Sequence, residues 1–166
     1  MLKKQLFSIA LVLLFAAASF AQTAQVQVIH NCADTAAAQV DIYINGNLAL
    51  DNFGFRKATP FLSLPAGVNI SIGVALANST SVNDTLVSFD FNLVDGEKYI
   101  IVASGIVSTT GYAPSQPFSL AVFAAAQLSA GNPANTNVLV YHGATDAPIV
   151  DITSGGNTLV NNISYG

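Results

Sequence analysis

Val68-Asn69-Ile70-Ser71-Ile72-Gly73-Val74-Ala75-Leu76 places an apolar side chain at every second position and a polar or small one between. A period of two is the pattern of a β-strand with one buried face and one wet or lightly packed face. The alternation recurs at Val87, Phe89, Phe91 and Leu93, separated by Ser88, Asp90 and Asn92, and further apolar runs lie at Val26 to Ile29, Val40 to Ile44, Tyr99 to Ala103 and Phe118 to Phe123. No helical stripe of comparable strength follows the N-terminal apolar segment. Turn chemistry falls between the runs. Asn45-Gly46 suits a type I′ hairpin because both positions tolerate positive φ, Pro65-Ala66-Gly67 reverses the chain, and Asp95-Gly96 joins two strands. Seven or eight short strands before Leu128 predict an all-β fold, an antiparallel two-sheet sandwich of the immunoglobulin or fibronectin kind, with a closed barrel as the alternative.

The chain opens with a different physical pattern. Lys3 and Lys4 form a positive patch, Leu6 to Ala18 is an apolar core, and Ser19-Phe20-Ala21 is a small-x-small cleavage site. This reads as a signal peptide over residues 1–21, cleaved after Ala21, and it predicts a secreted or cell-surface protein. The apolar core is shorter than the roughly 20 residues a membrane span needs, so no transmembrane anchor is expected in the mature chain. A lipoprotein signal would put a cysteine directly after that core, whereas the single cysteine, Cys32, follows a polar stretch that starts at Gln22.

After removal of the signal, Arg56, Lys57 and Lys98 face nine acidic residues, a net charge of −6. That balance argues against nucleic acid and anionic membrane surfaces, both of which call for clustered Lys and Arg. Charged residues make up only 8% of the chain, against about 25% in an average globular protein, so Asn, Ser, Thr and Gln must carry the surface. A lone Cys32 makes no internal disulfide. Stability has to come from burial and strand pairing, with Cys32 as a small buried residue.

Ser129 to Asn137 is polar, contains a Gly and a Pro, lacks any period and reads as a linker. A repeat follows it. Val138-Leu139-Val140-Tyr141-His142 matches Val26-Gln27-Val28-Ile29-His30, Asp146 matches Asp34, and Val150-Asp151-Ile152 matches Val40-Asp41-Ile42. The offset is 112 residues at the histidines and 110 from Asp41/Asp151 through Asn47/Asn157, Asn52/Asn162 and Phe55/Tyr165. The expected layout is a signal at 1–21, a β-sandwich module at 22–128, a linker at 129–137 and the opening of a second copy at 138–166. Such a chain reads as a fragment or truncated product of a longer tandem array.

The segment Val140-Tyr141-His142-Gly143-Ala144-Thr145-Asp146-Ala147-Pro148-Ile149-Val150-Asp151-Ile152 resembles the opening of the family named domain of unknown function 4397, in which a strand ending in His leads through a Ser-Pro-Asp-Ala-Pro type loop into a Val-Asp-Val strand. In the first copy the likeness continues through Tyr43-Ile44-Asn45-Gly46, Phe53, Phe61 to Gly67, and Gly96-Glu97-Lys98-Tyr99. The first copy departs at its loop, Asn31 to Gln39, which has neither proline and is two residues longer than its counterpart. The resemblance implies an exported bacterial β-sandwich module, often in tandem on secreted or surface proteins, with no established activity.

Residues able to carry chemistry are few. There is no G-x-S-x-G elbow, no G-x-x-x-x-G-K and no G-x-G-x-x-G. His30 beside Asp34 and Asp41, or His142 beside Asp146 and Asp151, is the one constellation resembling a base with its orienter or a weak metal site. The structural alternative has each His closing a strand while Asp34 or Asp146 accepts backbone N–H bonds in an Asx-type turn. Asp84, Asp90, Asp95 and Glu97 do not have the spacing of an EF-hand loop. Asn78-Ser79-Thr80 and Asn83-Asp84-Thr85 fit the N-glycosylation sequon, and Asp34-Thr35-Ala36 and Asp84-Thr85-Leu86 fit a short bacterial O-glycosylation motif.

No catalytic residue, metal or cofactor is therefore expected. The favoured function is a non-enzymatic spacer, adhesin or binding domain, with an extracellular protein or glycan as its partner and the six loop residues His30, Asp34, Asp41, His142, Asp146 and Asp151 as binding candidates. The rival is a hydrolase-associated or catalytic domain, which requires a pocket gathering His30, Asp34 and Asp41 with a raised carboxylate pKa. N-terminal sequencing of exported material is expected to begin at Gln22; a protein that still begins at Met1 would overturn the signal-peptide reading.

Overall fold

The computed structural model describes residues 21–166, so the expected signal peptide lies outside the described residues except for Ala21. Eight strands precede Leu128: β1 (Thr23–His30), β2 (Gln39–Ile44), β3 (Asn47–Gly54), β4 (Leu62–Pro65), β5 (Asn69–Leu76), β6 (Val87–Asn92), β7 (Lys98–Ser104) and β8 (Ser119–Phe123). They form two four-stranded sheets, in the orders β4-β1-β7-β8 and β3-β2-β5-β6. The two sheets stay open, as a sandwich rather than a barrel.

One pair departs from the antiparallel scheme. β1 and β7 run parallel, from Gln25 opposite Lys98 to His30 opposite Ala103. A parallel pair cannot be closed by a hairpin, and five other strands intervene between these two. No turn signal in the sequence announces such a pairing.

The alternating residues meet between the sheets. Val26 of β1 and Ile101 of β7 face Ile42 of β2 and Ile70, Ile72 and Val74 of β5 in one buried cluster. Each such side chain contributes about 1.5–3 kcal/mol when fully buried. Cys32 is buried in the same cluster and unpaired. Phe89 and Phe118 lie close across the edge of the cluster, with ring centroids 6.1 Å apart.

The outer face of the second sheet is also covered. Asp41, Tyr43 and Ala75 are all buried there. The connection between β5 and β6 folds back over them: the Tyr43 hydroxyl lies 2.9 Å from Ser79 Oγ, and a Cβ on Gly73 would collide with Thr85. A second close approach fixes Gly105, whose φ of +88° is joined by a Pro117 carbonyl lying where a Cβ would stand. The turn at Asn45-Gly46 has φ values of 49° and 81°, as a type I′ hairpin requires.

Residues 124–149 contain no strand or helix. After them β9 (Val150–Ser154) and β10 (Asn157–Ile163) form an antiparallel hairpin whose strands pair only with each other. Its turn, Gly155-Gly156, repeats the Asn45-Gly46 geometry with φ values of 55° and 81°. Ile149, Leu159 and Val160 are exposed. The segment ahead of the hairpin rests on the sandwich through Tyr141, whose hydroxyl lies 2.7 Å from Ser104 Oγ and whose ring meets Phe123 edge-on at 5.7 Å.

A two-stranded hairpin with little burial is marginal in water. Limited digestion with subtilisin is accordingly expected to cut within residues 129–137, leaving a resistant fragment ending near Leu128 while residues 138–166 are lost. Equal resistance of both parts, read by intact mass, would show one inseparable unit.

Candidate functional site

β1 ends the central run of one sheet and β2 begins the central run of the other, so residues 31–38 must carry the chain across the sandwich edge. Backbone groups there leave the sheet ladders and need other partners. His30 supplies two of them. Its Nδ1 accepts from Cys32 N–H at 3.4 Å, which places the ring proton on Nε2, and Nε2 then donates to Ala37 O at 2.9 Å. The side chain is 1% exposed and packs against Phe53 and Phe55. Burial lowers the His30 pKa below its ordinary value, and the bond to Ala37 O opposes that only in part. The imidazole is neutral.

Asp34 holds the same crossing from the other side. Its Oδ1 accepts from Ala36 N at 2.9 Å in the expected Asx turn, and also from Ser108 Oγ and Tyr112 Oη at 2.9 and 3.2 Å. Oδ2 accepts from Val107 N and Ser108 N at 3.0 and 2.6 Å. Burial pushes this carboxyl up, but the bonds from Ser108 and Ala36 backbone and from the Ser108 and Tyr112 side chains outweigh it and hold the pKa below the ordinary value. Cys32 nearby is pushed up, first by burial. Its thiol is therefore protonated at neutral pH.

Asp41 is separate from both. It lies on the outer face of β2, opposite a bulge in β3 where the register slips between the Val40 and Ile42 pairs. Asn52 sits in that bulge with φ +52°, and its displaced N–H is captured by Asp41 Oδ1 at 2.9 Å. Asp41 Oδ2 accepts from Ser79 Oγ at 2.5 Å. The sequence candidates His30, Asp34 and Asp41 are thus all buried, yet each belongs to its own set of backbone and hydroxyl partners. No His–carboxylate hydrogen bond joins them.

The matched segment repeats two of these three arrangements. His142 Nδ1 accepts from Ala144 N at 3.4 Å and Nε2 lies 2.9 Å from Pro148 O. Gly166 N donates to His142 O at 3.1 Å, as Arg56 N does to His30 O at 2.8 Å. Asp151 Oδ1 accepts from Asn162 N at 2.7 Å, with Asn162 at φ +55°. Asp146 differs from Asp34 in being exposed, since this segment contains no counterpart of the Val107–Tyr112 loop.

Ser79, Ser108, Tyr112 and Asn52 were not among the sequence candidates. Only Asn52 left a trace there, as a position matched in both segments; the others act from 38 to 78 residues away, beyond any local pattern. Asp84, considered above for calcium, caps its own turn: Oδ2 accepts from Thr80 N, Ser81 N and Thr80 Oγ1 at 2.7, 3.0 and 3.1 Å. Asp95 accepts from Thr23 N at 2.9 Å. Among the described residues no group of three or more His, Cys, Asp or Glu side chains is placed to hold a metal ion, and no helix is long and apolar enough to cross a membrane.

An open two-sheet sandwich whose buried polar side chains bind its own backbone defines a β-sandwich module. The chain belongs to the domain of unknown function 4397 (DUF4397) family, whose model matches residues 24–153. The match begins at the second residue of β1, covers β2 to β8 in full and reaches into β9. No curated protein matches the chain.

The His30 and Asp34 shifts act in separate pH windows. His30 has a depressed folded pKa, so stability is flat above about pH 6.5 and falls as pH drops below it, because the unfolded chain binds the extra proton. Asp34, also depressed, contributes stability that is full above about pH 3.8 and is lost on further acidification. Thermal melts from pH 7.5 to 5 should show a decline that His30→Gln reduces, at a cost of about 1 kcal/mol at neutral pH. Asp34→Asn should cost about 3 kcal/mol, because its new amide faces two backbone donors. A flat wild-type profile between pH 7.5 and 5 would refute the assignment of a buried neutral His30.

Proposed function

We propose that the protein is an exported, non-catalytic β-sandwich module of a tandem-repeat secreted or cell-surface protein, acting as a spacer, adhesin or binding domain. In this reading residues 22–128 are one complete module, 129–137 a linker, and 138–166 the opening of a second copy. Its partner would be an extracellular protein or glycan, met through exposed loops at the ends of the sheets.

One observation carries the non-catalytic part. A general base needs a ring nitrogen free to take a proton from substrate, and a carboxylate to orient the ring. Both ring nitrogens of His30 are occupied by backbone groups, and Asp34 and Asp41 accept from backbone and hydroxyl donors elsewhere. The lowered pKa of Asp34 is the reverse of what a general acid at neutral pH requires. The shared bonds at His30/His142 and Asp41/Asp151 support the tandem reading.

Wild-type protein and His30→Gln are to be compared against chromogenic esters and glycosides, with circular dichroism as the folding control. The expected result is no hydrolysis that depends on His30. A hydrolytic activity abolished by His30→Gln in a folded protein would establish the catalytic alternative.

A further inference from the structure

The connection between β5 and β6, residues 77–86, is far longer than the two-residue turn that suffices to reverse a strand, and it is built as a rigid cup. Its middle is a 3-10 turn over Val82–Asp84 closed by a capping box, in which Asn83 N donates to Ser81 Oγ at 3.3 Å and Ser81 N to Asp84 Oδ2 at 3.0 Å. Its wall is tied to the sheet by Ser79, whose hydroxyl bridges the buried side chains of Tyr43 and Asp41. Between wall and turn lies a pocket of about 230 Å³, lined by Leu76, Asn78, Ser79, Thr80, Asp84 and Leu86. That is smaller than the roughly 300 Å³ at which drug-sized sites begin, so the pocket takes one ring or one side chain.

The lining selects for hydroxyl groups. Among the described residues the three bonds that Asp84 accepts from its own turn all go to Oδ2, which leaves Oδ1 as an open acceptor. Backbone donors of Thr80 and Ser81 and the Thr80 hydroxyl hold the carboxyl pKa below its ordinary value, so the group is ionised at neutral pH. Asn78, exposed on the same pocket, brings two amide donors and a carbonyl acceptor, and Ser79 and Thr80 add hydroxyls. A carboxylate alone would suit a cation, but a cation has no use for amide donors, and no group of three or more His, Cys, Asp or Glu side chains among the described residues is placed to hold a metal ion. Adjacent hydroxyls of a sugar ring are donor and acceptor at once and use both kinds of group. Leu76 and Leu86 supply an apolar surface for the C–H face of such a ring.

The pocket also stands clear of the chain's path into and out of the sandwich. Thr23 N donates to Asp95 Oδ1 at 2.9 Å, Ala66 N to Gln22 O at 2.9 Å and Ala126 N to Lys98 O at 3.0 Å, so the chain enters and leaves at the end where β5 begins and β6 finishes. Leu76 closes β5 at the opposite end, paired with Val40 just after the crossing. In a tandem array the linkers therefore attach at one end of the module and the pocket lies at the other.

We infer that this pocket is a binding site for a single neutral sugar residue of a glycan, with Asp84 Oδ1 and the Asn78 amide bonding adjacent ring hydroxyls and Leu76 and Leu86 packed against the ring. The turn is held by its own bonds before any ligand arrives, which lowers the ordering cost of binding. The inference rests on the glycan side of the function proposed above. It is independent of catalysis: hydrolysis through His30 would leave the pocket standing, and failure to bind sugar would leave the non-catalytic module standing.

The full chain, isotope-labelled for NMR, is titrated with methyl glycosides of the common neutral hexoses, deoxyhexoses and N-acetylhexosamines, and separately with lysine amide as a cationic side-chain probe. At least one glycoside is expected to shift the amides of residues 76–86 saturably with a Kd of about 1–10 mM, the affinity that a few hydrogen bonds to one ring provide. Asn78→Ala and Asp84→Asn should each weaken that binding at least about fivefold. Asp84 also caps its turn, so the spectrum of the free variant reports whether the turn survives, and Asn78→Ala decides the question where it does not. No saturable shift with any glycoside up to about 50 mM, or equal affinity of wild type and Asn78→Ala, overturns the proposal. Saturable shifts of the same amides by lysine amide alone would assign the pocket to a basic side chain of a protein partner and overturn it as well.

Discussion

The crossing from His30 to Gln39 is the constraint on which the sandwich depends. β1 is central in one sheet and β2 central in the other, so their connection must leave one ladder and enter the next at the border of the core. An unpaired backbone group buried there costs about 1–3 kcal/mol. The chain meets this with two side chains of opposite character. A neutral imidazole offers a donor and an acceptor on opposite sides of one ring, matching Ala37 O and Cys32 N. A carboxylate offers only acceptors, and Asp34 gathers donors from its own turn and from residues 107–112. Asp34 thereby ties the crossing to the segment between β7 and β8, and the two sheets are held at one corner by polar bonds as well as by apolar packing.

Much of the architecture was legible because it is local. Alternation in Val68–Leu76 and Val87–Leu93 marks β5 and β6, and Asn45-Gly46 marks the β2–β3 turn through its demand for positive φ. The parallel β1–β7 pair was not legible, since its partners are distant in sequence and neither carries a mark of direction. Burial of Asp41 was hidden for a related reason. Alternation correctly puts Asp41 on the face away from Val40 and Ile42, but a solvent-facing reading of that face fails because the Ala77–Leu86 connection folds over it. The site was half legible: His30, Asp34 and Asp41 stand out by type and make the buried polar bonds, while their partners are main-chain groups and hydroxyls that no motif encodes.

In the non-catalytic reading proposed above, residue types suited to catalysis meet the demands of the backbone. The test that separates the two origins is what each atom faces. A catalytic His and Asp face each other and leave one nitrogen open to a cleft; His30, Asp34 and Asp41 each face inward, toward different stretches of main chain. The direction of the Asp34 pKa follows the same logic. Desolvation alone would raise it, and only the donors converging on the carboxylate reverse the sign. A buried carboxylate kept ionised by the donors of its own fold serves as a corner post of the sandwich.

The two matched segments separate what is local from what needs the whole domain. The imidazole bonds at His142 and the bulge latch at Asp151 form with nearly the same distances as at His30 and Asp41, although Asp151 is exposed and Asp41 is buried. Those bonds are therefore set by the loop and hairpin themselves. Their energetic worth is not: around Asp151 water competes for each group, whereas around Asp41 breaking the bond would strand a buried charge. Asp34 and Asp146 show the converse. The same position in sequence is buried in one case and solvated in the other, because the five donors of Asp34 come largely from a loop more than 70 residues away. Local sequence thus builds the latches, and only the complete set of strands makes them strong.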